Sequence, residues 1–253
     1  MIEVKNLKKS FDDKEVLKGI STVLQTGKCN LIIGTSGSGK TVFMKCLVGL
    51  FQPTTGSIFY DGVDFTRLDI KQKKEIRKKI GMLFQGGALF DSMTVAENVL
   101  FPLNMFTKMT TKEKMNRVNF CLERVNLVGA NDKYPGEISG GMMKRVGIAR
   151  AIVLNPRFLF CDEPNSGLDP KTSIVIDELL TEITHEFKMT TVINTHDMNS
   201  VMGMGENVTF LHQGFQEWQG SSKDILTSTN QILNDFIFAS DFLKALREGK
   251  GRV

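Results

Sequence analysis

The stretch that decides the fold is Gly34-Thr35-Ser36-Gly37-Ser38-Gly39-Lys40-Thr41. It fits the pattern G-x-x-x-x-G-K-[ST] in full, follows the apolar run Cys29–Ile33 and precedes a predicted helix over Lys40–Leu50. Glycines let the backbone amides of such a loop curl around phosphate oxygens, and the helix N-terminus adds a positive dipole end. We expect Lys40 to reach the β- and γ-phosphates and the Thr41 hydroxyl to ligate Mg²⁺. An ordinary glycine-rich turn is the alternative; the context favours a site for ATP or GTP.

Two adjacent carboxylates form the second chemical element. The apolar run Phe158–Cys161 ends in Asp162 and Glu163. Because neighbouring side chains of a strand point to opposite faces, the two acids can take different roles. Asp162 suits the Mg²⁺ shell, and Glu163 suits a general base that polarises the attacking water. An acidic cluster at a helix N-terminus is the alternative interpretation.

The rest of the chain alternates short apolar runs with amphipathic stretches, which is typical of α/β architecture. Further buried strands are predicted at Ile80–Phe84 and Thr191–Asn194. Residues 86–156 carry few strand signals, so we interpret them as a mainly helical insertion. Further helices are predicted at Lys71–Lys79, Thr111–Val128, Met142–Leu154 and Thr172–Phe187.

The bulk composition limits the classes of protein. The 253 residues suffice for one large α/β domain or two small ones, and 41% hydrophobic with 24% charged residues is ordinary globular composition. A net charge of +4 is too small to indicate nucleic acid. The four cysteines lack metal-ligand spacing, which favours buried thiols in a reducing compartment. No apolar run approaches the roughly 18 residues of a membrane span, and no signal-peptide core follows Met1. We therefore expect a cytoplasmic chain that reaches any membrane through a partner.

Further motifs arrive in a fixed order around these two elements. Gln85 closes the run Ile80–Phe84, the loop Ser139-Gly140-Gly141-Met142 follows, and Ser166-Gly167-Leu168-Asp169 and His196 come after the carboxylates. Together with the glycine loop they resemble the ABC (ATP-binding cassette) ATPase family over roughly residues 1–225.

The ABC resemblance implies specific site residues. In that family, the counterpart of Gln85 contacts Mg²⁺ and the attacking water, and the counterpart of His196 contacts the γ-phosphate. Ser139, Gly140 and Gly141 resemble the signature loop, usually LSGGQ, and Asp169 belongs to the D-loop. Phe11 resembles the aromatic residue that stacks on adenine, with Val16 beside it; an ordinary strand-end aromatic is the alternative. ATP rather than GTP, with Mg²⁺, rests on this resemblance.

The resemblance also predicts the fold class and the domains. We expect an α/β fold, a P-loop NTPase core of ABC-ATPase type with an antiparallel β subdomain and a mainly helical insertion. One ATPase domain should cover residues 1–227, with a helical subdomain at about 86–156, and a C-terminal helical tail should cover 228–253. Met142 and Ile138 depart from the usual signature glutamine and leucine. The serine and glycines still present a hydroxyl and amides to phosphate.

The resemblance further implies a homodimer. Two copies should meet head to tail, with each ATP between Lys40 of one copy and Ser139 of the other. One cassette without heptads or a cysteine cluster favours a transporter subunit that docks on integral membrane permease chains at the cytoplasmic face of the bacterial inner membrane. The apolar residues from Ala88 to Leu103 are either a docking groove or subdomain core. A DNA-associated ABC ATPase is the rival class; we expect no nucleic acid partner.

The cargo is indicated by two finer features. FQGGALFDSMTVAENVLFPL (Phe84–Leu103) and ISGGMMKR (Ile138–Arg145) resemble the ATPases of Mla-type lipid transporters. This resemblance implies phospholipid transport between inner and outer membranes, with an MlaE-type permease and an MCE-domain lipid-binding protein. Lipoprotein release and amino-acid import remain alternatives. The amphipathic tail either packs on its own core or stabilises the dimer or docks a small regulatory protein; its apolar residues are Ile232, Leu233, Phe236, Ile237, Phe242, Leu243 and Leu246.

Overall fold

The computed structural model describes residues 1–238 and divides the chain into two compact units. Unit 1 contains Met1–Gln25, Cys29–Arg67 and the chain from Asn194 onward; unit 2 contains Thr26–Lys28 and Leu68–Ile193. The strands are β1 (Ile2–Phe11), β2 (Lys14–Leu24), β3 (Cys29–Ile33), β4 (Thr55–Tyr60), β5 (Val63–Asp64), β6 (Ile80–Leu83), β7 (Phe158–Asp162), β8 (Thr190–Asn194), β9 (Asn207–His212) and β10 (Phe215–Gly220). The helices are α1 (Lys40–Leu47), α2 (Ile70–Arg77), α3 (Val95–Phe106), α4 (Thr111–Arg124), α5 (Gly140–Ile152), α6 (Pro170–Glu186), α7 (Met198–Met204), α8 (Ser222–Ile225) and α9 (Gln231–Ile237), with a 3₁₀ turn at Pro135–Glu137.

Unit 1 contains the predicted antiparallel sheet, in the order β2-β1-β4-β5. Ile2, Val4 and Leu7 of β1 are buried. Between Val4 and Leu7 the pairing is irregular, and Asn6 adopts a φ of 45°. This bulge returns Leu7 to the buried face of the strand. The prediction of an antiparallel β subdomain is confirmed.

A second group of strands in unit 1 carries the glycine loop. β9 pairs in parallel with β3 and antiparallel with β10. All five residues of β3, the polar Asn30 included, are buried, as is typical of an apolar-rich parallel strand. The loop after β3 leads directly into α1, so the predicted strand–loop–helix unit is present.

Unit 2 contains a parallel pair and the helical insertion. β7 lies between β6 and β8, and β6 pairs with β7 in parallel. α3, α4 and α5 pack on one another. These strands and helices complete the α/β fold with its mainly helical insertion, which is confirmed.

Local capping fixes where the helices of unit 2 begin. Asp69, Thr94 and Thr110 each accept a hydrogen bond from the backbone three residues on, and the side chain found there bonds back to the cap amide. Such reciprocal boxes satisfy two backbone donors that a helix N-terminus leaves unpaired. The sequence analysis assigned no individual helix to Val95–Phe106, and the Thr94–Glu97 box is the signal that finds it.

All five predicted helices end before their predicted bounds, and two of them, α1 and α4, end three or four residues early. α1 stops at Leu47 rather than Leu50, because Gly49 takes a φ of 75°. α4 stops at Arg124 rather than Val128, because Asn126 takes a φ of 54°. A left-handed residue cannot continue an α-helix.

The described part of the tail packs on unit 1. Leu233 and Ile237 of α9 are buried, and the Phe236 ring stacks on Phe210 with 5.2 Å between centroids. Phe242, Leu243 and Leu246 lie outside the described residues, and the division at residues 227 and 228 stays a prediction. Within residues 1–238, no helix has the length and apolar character needed to span a bilayer.

Candidate functional site

The glycine loop of unit 1 is shaped by backbone that only glycine adopts easily. Gly37 and Gly39 have φ values of 78° and 105°. A Cβ on Gly34 would lie 2.2 Å from the Leu211 carbonyl oxygen. The loop therefore passes directly against β9, and Gly214 fixes it further by donating its amide to the Ser38 oxygen at 3.2 Å.

Lys40 and Ser38 place polar atoms at this loop. The Lys40 ammonium donates to the carbonyl oxygens of Gly34 and Thr35 at 2.7 and 3.1 Å, and the side chain is only 9% exposed. Ser38 Oγ is buried without a hydrogen-bond partner among residues 1–238. Thr41 is exposed at the first turn of α1. An ammonium over the loop, loop amides and an exposed hydroxyl are the donor set that a triphosphate with Mg²⁺ requires.

The two residues predicted to contact adenine have different surroundings. Val16 packs on the loop, because a Cβ on Gly39 would lie 3.4 Å from the Val16 carbonyl oxygen. Phe11 ends β1 with its ring exposed, its edge toward Phe51 at 5.2 Å and the Lys9 ammonium 4.7 Å from its centroid. Phe11 therefore offers an aromatic face at the surface, and Val16 an apolar contact beside the loop.

His196 belongs to unit 1 and lies two residues after the end of β8. It follows Thr195, whose amide donates to the Ile32 oxygen of β3 at 3.2 Å. The His196 side chain is exposed, and α7 begins at Met198 with Asp197 as its cap. The backbone is thus anchored on both sides of the imidazole.

In unit 2, the adjacent acids Asp162 and Glu163 differ in backbone conformation. Asp162 ends β7 in extended conformation and is half-buried. Glu163 has a φ of 50°, which is unfavourable for a residue with a Cβ. Its carbonyl oxygen accepts from the Ser166 amide at 3.1 Å, so the strained residue starts a tight turn. Strain of this kind clusters at functional positions.

Gln85 lies two residues after the end of β6 and is exposed. Its Nε2 is 3.5 Å from Ser166 Oγ, so unit 2 brings the predicted Q-loop and D-loop together. Asp169, the acid of the predicted D-loop, lies at the N-terminus of a helix. It caps α6 and accepts from the Thr172 hydroxyl and amide, and these bonds lower the pKa of its carboxyl.

The signature loop begins α5. Ser139 is the N-cap, and its Oγ accepts from the Met142 amide at 3.2 Å. Ser139 and Gly140 are exposed, whereas Gly141 packs on α6, since a Cβ there would lie 2.7 Å from Thr172 Cγ2. Ser139 and Gly140 are thus accessible at the N-terminus of α5, the end of a helix that favours anions.

Sequence reasoning assigned no role to Lys144 and Arg150, two of the cations of α5. The Lys144 ammonium donates to the Gln85 carbonyl oxygen at 3.4 Å, and the side chain is 5% exposed. Arg150 donates to the carbonyl oxygens of Gly87 and Ala88 at 2.6 and 2.8 Å. Burial lowers the pKa of both cations. Cationic residues on an otherwise apolar helical face were the available signal.

The oxygen donors suit Mg²⁺. Thr41 of unit 1 carries a hydroxyl and Asp162 of unit 2 a carboxylate, each an oxygen donor of the kind that Mg²⁺ prefers. Residues 1–238 contain no cluster of three or more His, Cys, Asp or Glu side chains that would form a dedicated metal cage. Mg²⁺ commonly takes one or two protein ligands and completes its shell with water and phosphate oxygens. The glycine loop with Phe11, Val16 and His196 belongs to unit 1, and the carboxylates with Gln85 and the signature loop belong to unit 2.

Comparison with known proteins identifies the class of this arrangement. Residues 17–166 match the family described as ABC transporter. The chain belongs to the ABC transporter family. It is an ATP-binding subunit of an ABC transporter and an ABC-type ATPase, which uses ATP with Mg²⁺.

Relatives of this ABC ATPase are named for the transport of different substrates. The probable ribonucleotide transport ATP-binding protein mkl of Mycobacterium leprae is 40% identical over 236 residues, which are 93% of this chain and 68% of that protein. The methionine import ATP-binding protein MetN of Carboxydothermus hydrogenoformans is 39% identical over 243 residues, which are 94% of this chain and 71% of that protein. The chain spans 66–68% of the length of the mycobacterial mkl proteins.

Solved ABC cassettes share the fold. The dimeric ATP-binding cassette MJ0796, bound to ADP and Pi in a post-hydrolysis state, aligns with a TM-score of 0.79 and 32% identity over 88% of this chain and 99% of that one. The cbiO1 protein of Clostridium perfringens, part of the ABC transporter complex cbiONQ, aligns with a TM-score of 0.84 and 29% identity over 97% of this chain and 98% of that one. The predicted P-loop core of ABC-ATPase type is confirmed.

Proposed function

We propose that this ATPase subunit powers phospholipid transport between the inner and outer membranes of a bacterium, together with an MlaE-type permease and an MCE-domain lipid-binding protein. The observation that carries the proposal is the pairing of a glycine-rich loop after Gln85 with a methionine after the signature glycines. The loop after Gln85 lies beside the turn of α5 that follows this methionine, Met142, because a Cβ on Gly87 would lie 3.5 Å from the carbonyl oxygen of Met143. A φ of 76° makes glycine the favoured residue there.

At the ATP site, each predicted residue receives a separate task. Lys40 would neutralise charge on the β- and γ-phosphates, Thr41, Asp162 and Gln85 would hold Mg²⁺, and His196 would contact the γ-phosphate. When bound, Mg²⁺ neutralises the phosphate oxygens and orients them. Glu163 takes the proton of the attacking water, and the remaining groups stabilise the charge of the transferring phosphoryl group by position alone. Adenine stacks on the Phe11 face opposite the Lys9 ammonium and contacts Val16.

A Glu163→Gln variant tests the assignment of the base. It preserves shape and removes the proton acceptor, so ATP binding should persist while hydrolysis falls at least about 100-fold. A rate equal to that of the unchanged chain would exclude Glu163 as the base. Glu178→Gln is a matched control, since Glu178 is an exposed acid on α6. It should change neither binding nor rate.

We propose a head-to-tail homodimer as the working state. Ser139 and Gly140 are exposed at the start of α5, and a second copy can bring its own γ-phosphate to them. Asp169 then acts near the contact through the α6 cap that it forms. Light scattering of the Glu163→Gln variant with ATP should show a mass of two chains. A single chain at saturating ATP would contradict the shared site.

The permease docks in an apolar groove of unit 2. The groove has a volume of about 510 Å³ and is lined by Phe84, Phe90, Phe101, Pro102 and Phe106, with Lys74, Arg77, Lys78 and Arg150 among its other lining residues. Three of these rings, Phe84, Phe90 and Phe106, are 42–46% exposed. The sequence left open whether the apolar stretch from Ala88 to Leu103 forms a groove or the core of the subdomain. Phe101 and Pro102 line the groove, while Leu103 is buried. A permease segment with apolar and acidic side chains complements this surface. Such docking supports a place at the cytoplasmic face of the inner membrane.

Amino-acid import is a second candidate, favoured by the 39% identity to a methionine import protein. In that case the permease carries no MCE-domain partner, and the cargo is a small polar molecule. The ATP chemistry of the two candidates is the same, because the cassette residues that contact nucleotide do not contact cargo.

Purification of the tagged chain from a detergent extract of its own cells distinguishes these functions. Co-purification of a multi-span permease, an MCE-domain protein and phospholipid, identified by mass spectrometry, is the expected result. A Phe90→Asp, Phe106→Asp double variant should lose the permease while still binding ATP, which controls for non-specific capture. A permease with an amino-acid-binding protein would support import instead. A chain that purifies with DNA-processing proteins, or whose ATPase is stimulated by DNA, would overturn the transport assignment.

A further inference from the structure

Two cationic side chains of α5 bind the loop that carries Gln85. The Lys144 ammonium donates to the Gln85 carbonyl oxygen at 3.4 Å. The Arg150 guanidinium donates through both terminal nitrogens, to Gly87 O at 2.6 Å and to Ala88 O at 2.8 Å. Three carbonyls within four residues are thus bound by side chains of one helix.

The loop needs such partners because its own backbone is irregular. Gly87 and Ala88 have φ values of 76° and 45°, so two consecutive residues are left-handed. The Gly87 amide closes a turn onto Phe84 O at 2.8 Å, but the carbonyls at Gln85, Gly87 and Ala88 point away from it toward α5. Carbonyl groups need hydrogen bonds when they leave water, and charged donors supply strong ones.

Both cations are placed where a cation is costly unless it has partners. Lys144 is 5% exposed and Arg150 is half-buried. Burial lowers the pKa of Lys144, and the nearby Glu163 carboxylate partly opposes that shift. An apolar residue would fill the same space without desolvating a charge. The carbonyls that the two cations face therefore explain their charges.

We propose that Lys144 and Arg150 form a carbonyl clamp that positions Gln85 for hydrolysis. Both are positioning residues: they act through the backbone of residues 85–88 and do not contact substrate. The inference rests on the proposed role of Gln85 at Mg²⁺ and the attacking water.

The clamp also reaches the groove proposed for the permease. Ala88 and Arg150 both line that groove. A permease segment bound in this groove therefore contacts the clamp directly. The segment can then affect Gln85 through the clamp alone, without a longer path through the protein.

The test combines kinetics with a local structural readout on the full chain. We compare Arg150→Met and Lys144→Met with Arg145→Met, whose arginine lies on the same helix and donates to Asn126 O at 3.1 Å. The clamp predicts a kcat at least about tenfold lower with a KM for MgATP within about threefold, since Gln85 is one of several groups proposed to hold MgATP in the ground state. Amide hydrogen exchange at residues 85–88 should accelerate at least about tenfold, with the α5 amides unchanged.

A conservative variant separates geometry from charge. Arg150→Lys keeps the charge but can bond only one carbonyl at a time, so kcat should lie between those of Arg150→Met and the unchanged chain. Arg145→Met should match the unchanged chain in kcat and exchange.

Two results overturn the clamp. The first is that both Met variants exchange their amides at residues 85–88 as slowly as the unchanged chain does. The second is that exchange becomes faster throughout unit 2, which would indicate a general packing role. The Glu163→Gln variant is measured in parallel. Full ATPase activity of Glu163→Gln would contradict the proposed chemistry. The hydrogen-exchange data at residues 85–88 test the clamp independently of the ATPase rate of Glu163→Gln.

Discussion

Replacing Glu163 by alanine and by glycine measures the strain at the end of β7. The residue has a φ of 50°, a region in which a side chain with a Cβ is disfavoured by about 1–2 kcal/mol. Glycine adopts it without that penalty but loses about 0.5–1 kcal/mol more conformational entropy on folding. Both substitutions delete the same carboxylate and its contacts, so these cancel in the comparison.

The difference between the two variants follows from these terms. Glu163→Gly should be more stable than Glu163→Ala by about 0.5–1 kcal/mol. In a chain of this size, that corresponds to a midpoint higher by about 1–4 °C in thermal unfolding. Both variants should hydrolyse ATP at least about 100-fold more slowly, because both lack the general base.

The same two substitutions at Glu178, to alanine and to glycine, should give a stability difference of the opposite sign. Glu178 is exposed within α6, where glycine costs about 1 kcal/mol relative to alanine. Urea and thermal unfolding of the four variants, with ATPase rates, complete the experiment. If Glu163→Gly proved less stable than Glu163→Ala by the margin seen at Glu178, the strained backbone would be refuted.

Three further predictions concern other parts of the chain. Lys40→Ala should weaken MgATP binding by about 10- to 100-fold in an equilibrium titration, and unchanged affinity would exclude its role at the phosphates. Gly81→Ala places a Cβ 2.2 Å from a backbone oxygen of α5, so urea unfolding should show a loss of about 1–3 kcal/mol; Gly136→Ala, which meets no atom within 4 Å, should not. Burial raises the pKa of the Cys46 and Cys121 thiols to about 11, so at pH 8 only about one in a thousand is the reactive thiolate. Alkylation of the folded chain should be far slower than in urea, and equal rates would contradict this burial.

The sequence by itself determined the elements whose signals are local. The glycine loop, the run Phe158–Cys161 with its two acids and the signature serine are read from neighbouring residues, because turn chemistry and strand burial leave short patterns. Their order along the chain sufficed to identify an ABC ATPase. The predicted strand Cys29–Ile33 has the bounds of β3.

The tertiary structure decided what depends on residues far apart in the chain. Lys144 and Gln85 are separated by 59 residues, and Arg150 and Gly87 by 63, and no local pattern pairs them. The left-handed φ of Glu163 is likewise invisible in the sequence, because glutamate rarely adopts it and only the surrounding fold enforces it. Packing of α5 against the loop after β6 is therefore the feature of this protein that its sequence did not disclose.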